Sequence, residues 1–185
     1  MVEMKVIKVP LSNKGLDDLL KKINNLKKEL NEADKRIVNK LSDYTETEIE
    51  KNLSATEFKD GNNDVHTFKE IKENKAKVGM RGSQVLYDEF GTGTQGESSP
   101  HPIKENFGLA GYNTGRKIRR ASVKVNENTG IAIGTKYWTY KNKAGETIFT
   151  TGIPAGKQVF NAAQSLKDKK MEIVKQEVSD VLSKL

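Results

Sequence analysis

Apolar side chains return along the first part of the chain at Leu16, Leu19, Leu20, Ile23, Leu26, Leu30, Ala33, Ile37, Val38 and Leu41. The steps alternate between three and four residues, the period of an amphipathic helix, and the intervening positions are Lys, Glu, Asp and Asn. Ser12 is placed to cap that helix, which on this stripe runs for about 30 residues and about 45 Å. Thr45–Leu53 either extends it or starts a second short helix. A helix this long either packs on its own sheet or shares part of its seam with a neighbouring subunit. Met4–Pro10, which precedes it, reads as a short strand or an extended arm.

Asp60-Gly61-Asn62-Asn63-Asp64 breaks the pattern. Beyond it, Val65–Ile71 and Ala76–Arg81 read as two strands of a hairpin turning at Glu73-Asn74. Ser83–Phe90 is a short helical or extended piece that stops at Gly91. Gly91–Asn113 has no periodicity and is rich in Gly, Ser, Pro and Asn, as expected of a long loop. Short strands follow at Ala121–Val125, Gly130–Thr135, Lys136–Lys141 and Thr147–Thr151, with turns at Asn126–Gly130 and Asn142–Gly145. A final helix from about Lys157 to Leu185 carries the stripe Phe160, Ala163, Leu166, Met171, Val174, Val178, Val181 and Leu185, which slips at Lys167–Lys170. The pattern predicts one α+β domain over residues 1–185. In it a small, mostly antiparallel sheet of about five short strands is packed by a long N-terminal helix and a C-terminal helix, with a loop insertion at about 91–121.

Composition narrows the chemistry. Hydrophobic residues make up 35% and charged residues 31% of the 185, a polar balance suggesting that part of the chain lies outside a private core. With no cysteine, disulfides and thiolate sites are excluded. The two histidines, His66 and His101, show no ligand spacing for a metal and no carboxylate motif beside them. Gly91–Gly96 lacks the Lys-Ser or Lys-Thr pair of a phosphate-binding loop, and Ala155-Gly156-Lys157-Gln158 lacks its upstream glycine and hydroxyl. Asp88 and Glu89 are adjacent and point apart, a poor acid–base pair. No catalytic constellation and no cofactor site emerge, so the expectation is a protein that is not an enzyme. The N-terminus has no signal-peptide run and no segment approaches the roughly 20 apolar residues of a membrane span, which implies synthesis in the cytoplasm.

The net charge of +7 is unevenly spread. Residues 1–60 are neutral, whereas residues 106–126 carry Arg116, Lys117, Arg119, Arg120 and Lys124 without an acid. This segment is either a solvated loop, a contact for an acidic neighbouring protein, or a sequence-independent contact with DNA phosphates.

The segment Leu86–Gly93, LYDEFGTG, resembles the aromatic-x-Glu-Phe-Gly-Thr-Gly signature of phage head–tail joining and tail-completion proteins, the gene-ten-product-like minor tail components; the matching residues are Tyr87, Glu89, Phe90, Gly91, Thr92 and Gly93. The later features of that pattern are met by Trp138, Tyr140, Gly145 and Thr151-Gly152-Ile153-Pro154-Ala155, followed by Phe160 and Ala163. The resemblance implies a structural protein of the neck of a phage or tail-like particle (a tail-completion, terminator or collar subunit). It further implies homo-oligomerisation in a ring with a six-fold match to tail symmetry, contacts with tail-tube, connector or sheath proteins, and a place in the virion. A basic nucleic-acid-binding module is the alternative. Tyr87 and Phe90 are three apart and are expected to anchor in the core, Gly91 and Gly93 to permit a sharp exit, and Glu89 to bond a backbone amide or a basic side chain that holds that exit. Trp138 and Tyr140 alternate and share one sheet face, either as core or as a subunit contact.

Overall fold

The computed structural model describes residues 10, 12–55, 64–91, 100–103, 119–120, 124–142 and 144–184. The expected arm at Met4–Pro10 lies outside them except for Pro10, as do Thr92 and Gly93 and most of the 91–121 insertion.

Helix α1 spans Asn13–Ser54, 42 residues without a break, so Thr45–Leu53 continues the first helix and its length is about 63 Å. Ser12 caps it as its residue type predicts, its hydroxyl accepting from the Gly15 amide at 3.1 Å. Strands β1 (His66–Lys72) and β2 (Lys75–Arg81) form the expected antiparallel hairpin around Glu73-Asn74, with Phe68 opposite Gly79. A one-and-a-half-turn helix, α2 (Val85–Phe90), follows and stops at Gly91. Five short strands come next: β3 (Arg119–Arg120), β4 (Val125–Asn126), β5 (Ile131–Ala132), β6 (Lys136–Lys141) and β7 (Thr147–Thr150). Helix α3 spans Gln158–Ser183 and runs through Lys167–Lys170 without interruption.

The class is α+β, with a long N-terminal helix, a C-terminal helix and small antiparallel sheets. The described strands divide among three sheets, β1–β2, β3–β6–β7 and β4–β5, in place of the single sheet that the strand count suggested. Strands of two residues cannot each bury an apolar face, so they pair locally.

Helices α1 and α3 pack mainly on each other, and α1 also packs on β1 and β2. They run antiparallel: the Asn52 side chain reaches the Gln158 carbonyl at 3.1 Å, Arg36 meets Glu177 at 2.8 Å, and Lys184 meets Glu29 at 3.0 Å. The main core sits where the end of α1 meets β2 and the start of α3, built on Ile49, Met80 and Ala162 with Leu53, Val65, Val78, Val85 and Val159 around them. A smaller cluster of Ile131 and Tyr137, with Phe149 against it, holds the β4–β5 hairpin to β6–β7. Met171 and Ala163, assigned to the buried stripe of α3 by periodicity, are exposed; the face that packs holds Gln158, Ala162, Glu177 and Val181.

Candidate functional site

Helix α3 begins badly by its own sequence. Its N-cap position is Lys157, a residue with no acceptor, held at φ 57 in the left-handed region. The first amides of a helix need acceptors from somewhere. They find one in Glu89, seventy residues earlier: the Val159 amide donates to Oε2 at 2.9 Å and the Phe160 amide to Oε1 at 3.0 Å. Glu89 therefore serves as a remote N-cap, its negative charge at the positive end of the helix dipole. The expectation that Glu89 bonds a backbone amide or a basic side chain is met on both counts, because His101 Nε2 also lies 2.9 Å from Oε1.

His101 is the residue that sequence reading missed as a partner of a carboxylate. It is buried between two rings of this junction, with its centroid 4.4 Å from Phe90 and 5.1 Å from Phe160. The Ile103 amide points at Nδ1 at 3.3 Å, so Nδ1 accepts and Nε2–H donates to Glu89. The ring thereby pins residues 100–103, the described part of the long loop, to the start of α3. The only local hint was the Pro-His-Pro setting at 100–102, which stiffens the chain but names no partner.

Backbone contacts close the joint. The Gly156 amide donates to the Asp88 carbonyl at 2.8 Å and the Lys157 amide to the Glu89 carbonyl at 3.1 Å. Gly91 has φ 77, and a Cβ there would stand 2.7 Å from the Ile153 carbonyl oxygen and 2.9 Å from the Ala155 nitrogen. Glycine is needed at that position for both reasons. Gly152 has φ 92 and is buried. Two segments of the resemblance, Tyr87–Gly91 and Thr151–Ala155, thus lie against each other as one interlocked unit.

The structure corrects one detail of this segment. Tyr87 and Phe90, expected as core anchors, are half-buried, whereas Asp88 and Glu89 are the buried pair. Burying a carboxylate is tolerable here because donors saturate Glu89. Both its oxygens are engaged by amides or imidazole, so its chemistry is that of a structural acceptor. The start of α3 is likewise occupied by the chain's own carboxylate and is closed to an external anion.

The remaining site residues fall elsewhere. Trp138 is buried, while Tyr140, two residues on and with its ring centroid 5.5 Å away, is 47% exposed. They share a face, and that face is only partly core. Arg116 and Lys117 lie outside the described residues. Arg119 and Arg120 form strand β3, exposed, and Lys124 is exposed just before β4. Register adds a residue the charge count left aside: Lys136 on β6 stands directly opposite Arg120.

Charge is handled differently around the helices. Glu177 is buried and receives Arg36 at 2.8 Å and Lys40 at 2.5 Å. Hydrogen bonds from Lys40 and then Arg36 hold its carboxyl below the usual glutamate range. Lys69 on β1 bridges Asp43 and Glu46 of α1, whose hydrogen bonds push its ammonium well above the ordinary lysine value.

Among the described residues no group of three or more His, Cys, Asp or Glu side chains is placed to hold a metal, and no helix is long and apolar enough to cross a membrane. Comparison with protein-family models, with curated proteins and with solved structures returned no match to this chain.

Proposed function

We propose that this chain is a non-enzymatic structural subunit of a phage or phage-tail-like particle that works by homo-oligomerising in the head–tail neck. The observation that carries the assembly part of this reading is the exposed apolar stripe at the beginning of α1. Helix α3 ends opposite Glu29, so residues 13–28 run on for about 24 Å with no α3 beside them. Along that projection and its root Leu16, Leu20, Ile23 and Leu30 are 43–58% exposed, on the same three-four stripe that is covered lower down the helix. A stripe of this kind is an interaction surface in waiting, and its continuity with the α1–α3 seam suits a helix from another subunit. The particle assignment is supported by the LYDEFGTG resemblance, whose two separated segments form one joint.

Multi-angle light scattering of the purified chain across a concentration series tests the reading. A ring-sized mass, reduced to monomer by Leu20→Gln/Ile23→Gln, is expected. A monomer at every concentration, together with failure to co-sediment with tail-like particles from the source genome's neighbourhood, would count against it. A nucleic-acid-binding module is the second reading, favoured by the exposed arginines of β3.

A further inference from the structure

We propose that an alternating row of charges sets the register of α3 on α1, admitting one alignment and penalising a slip of one heptad in either direction. Glu177 and Lys184 on α3 are the residues that read the row, and Glu29 and Arg36 on α1 are the rungs they read. The register fixes where α3 stops, and therefore how much of the α1 stripe stays exposed. The use of that stripe in assembly rests on the oligomer reading, whereas the register does not.

Hydrophobic spacing leaves the end point of α3 open. The three-four stripe of α1 continues past Glu29, where α3 ends, through Leu26, Ile23, Leu19 and Leu16. On α3 the buried positions are Gln158, Ala162, Glu177 and Val181, so no residue between Ala162 and Glu177 is fully enclosed. Over this distal stretch, alignments seven residues apart bring similar faces together, and polar residues decide between them.

Charge makes the choice. Lys22, Glu29, Arg36 and Asp43 stand seven residues apart on α1 and alternate in sign, as do Lys170, Glu177 and Lys184 on α3. In the observed alignment opposite signs meet: Arg36 and Lys40 lie 2.8 and 2.5 Å from Glu177, and Lys184 lies 3.0 Å from Glu29. Moving α3 by seven residues toward the start of α1 sets Glu177 opposite Glu29 and Lys184 opposite Lys22. Moving it the other way sets Glu177 opposite Asp43 and Lys184 opposite Arg36. Either slip turns both rungs into like pairs. The Lys184–Glu29 pair is exposed and contributes little by itself. Glu177 discriminates more strongly, because its side chain is 3% exposed. Parted from its two cations it becomes a buried charge facing another carboxylate.

The two slips are not equally open. The Glu89 joint and the Ile49–Ala162 contact stand at the start of α3 and block movement in that direction. Movement toward the start of α1 needs only that the first two turns of α3 unwind, and it brings the far end of α3 beside Ile23 and Leu26. The charge row opposes that slide.

The test is a spin-label distance in the full chain, which has no native cysteine, between labels at Lys21→Cys and Met171→Cys, both exposed positions. Dilution with unlabelled chain keeps the distance within one molecule. The observed register gives about 33 Å and the open slip about 23 Å, from the helical rise and the spacing of packed helices. Wild type is expected to show the longer distance alone. Glu177→Lys/Lys184→Glu, which leaves the net charge unchanged, makes both rungs like in the observed register and opposite in the slip; a shift of about 10 Å to the shorter distance is expected. Adding Glu29→Lys/Arg36→Glu/Lys40→Gln restores opposite rungs and is expected to restore the longer distance. An unchanged distance in the exchanged chain overturns the proposal, as does failure of the α1 changes to restore it. Loss of any defined distance in the exchanged chain also overturns it, since the pairs would then contribute stability without choosing a register. A monomeric mass in light scattering leaves each of these outcomes as it stands.

Discussion

The two ends of α1 share one spacing of apolar residues and meet opposite fates. Towards its C-terminus Ala33 and Ile49 are buried, and Ile49 is fully enclosed with Met80 and Ala162. Towards its N-terminus Leu16, Leu20, Ile23 and Leu30 are about half exposed. The difference does not lie in the helix itself. It lies in where α3 stops and where the β1–β2 hairpin packs. A hydrophobic stripe specifies that a helix wants a partner, and the partner's length decides how much of the stripe is satisfied within one chain.

That comparison can be broken at its best-secured point. Glu89→Ala removes the acceptor for two helix amides and the His101 ring, leaving buried donors unpaired, and should cost about 3–5 kcal/mol in urea unfolding. Glu89→Gln keeps one acceptor but loses the charge at the helix end, and a loss of about 1–3 kcal/mol is expected. Unchanged unfolding for Glu89→Gln would mean that the joint is not what secures the start of α3.

The same chemistry applied at the two ends of α1 sharpens the contrast. Ile49→Ala opens a cavity in the main core and should cost about 2–4 kcal/mol. Glu177 gives an intermediate effect: its replacement by Gln should cost about 1–2 kcal/mol, kept small by solvent around the partly exposed Arg36 and Lys40. Its folded-state pKa is depressed, so its contribution is complete above the unfolded-state value near about 4.3 and is lost as pH falls through the lower folded-state value. An acid-unfolding series should therefore show wild type and Glu177→Gln converging below about pH 4 and separating above it. Leu20→Ala should be the smallest, within about 0.5 kcal/mol for the isolated subunit. A loss as large as that of Ile49→Ala would mean that the projection is already covered in solution.

Local signals account for what was legible. The three-four stripe and Ser12 announced α1, the Glu73-Asn74 turn announced the hairpin, and Gly91 after Phe90 announced the end of α2, because each depends on neighbours in sequence. The stripe of α3 was less faithful. Met171 continued it on paper but faces solvent, while Glu177, a polar position, is buried because Arg36 and Lys40 arrive from α1. The candidate site was half legible: Glu89 stood out as a residue in need of a donor, but nothing within its own neighbourhood said that the donors would be Val159, Phe160 and His101.

By itself, then, the sequence determined the α+β class, most of the elements and the concentration of cations in an acid-free segment between 106 and 126, all properties of short windows of chain. Only the tertiary structure decided that Glu89 caps a helix seventy residues away, that Lys136 faces Arg120, and that the first third of α1 outruns α3. Those facts depend on register and on relative lengths of elements distant in sequence, and neither quantity is written in any local pattern.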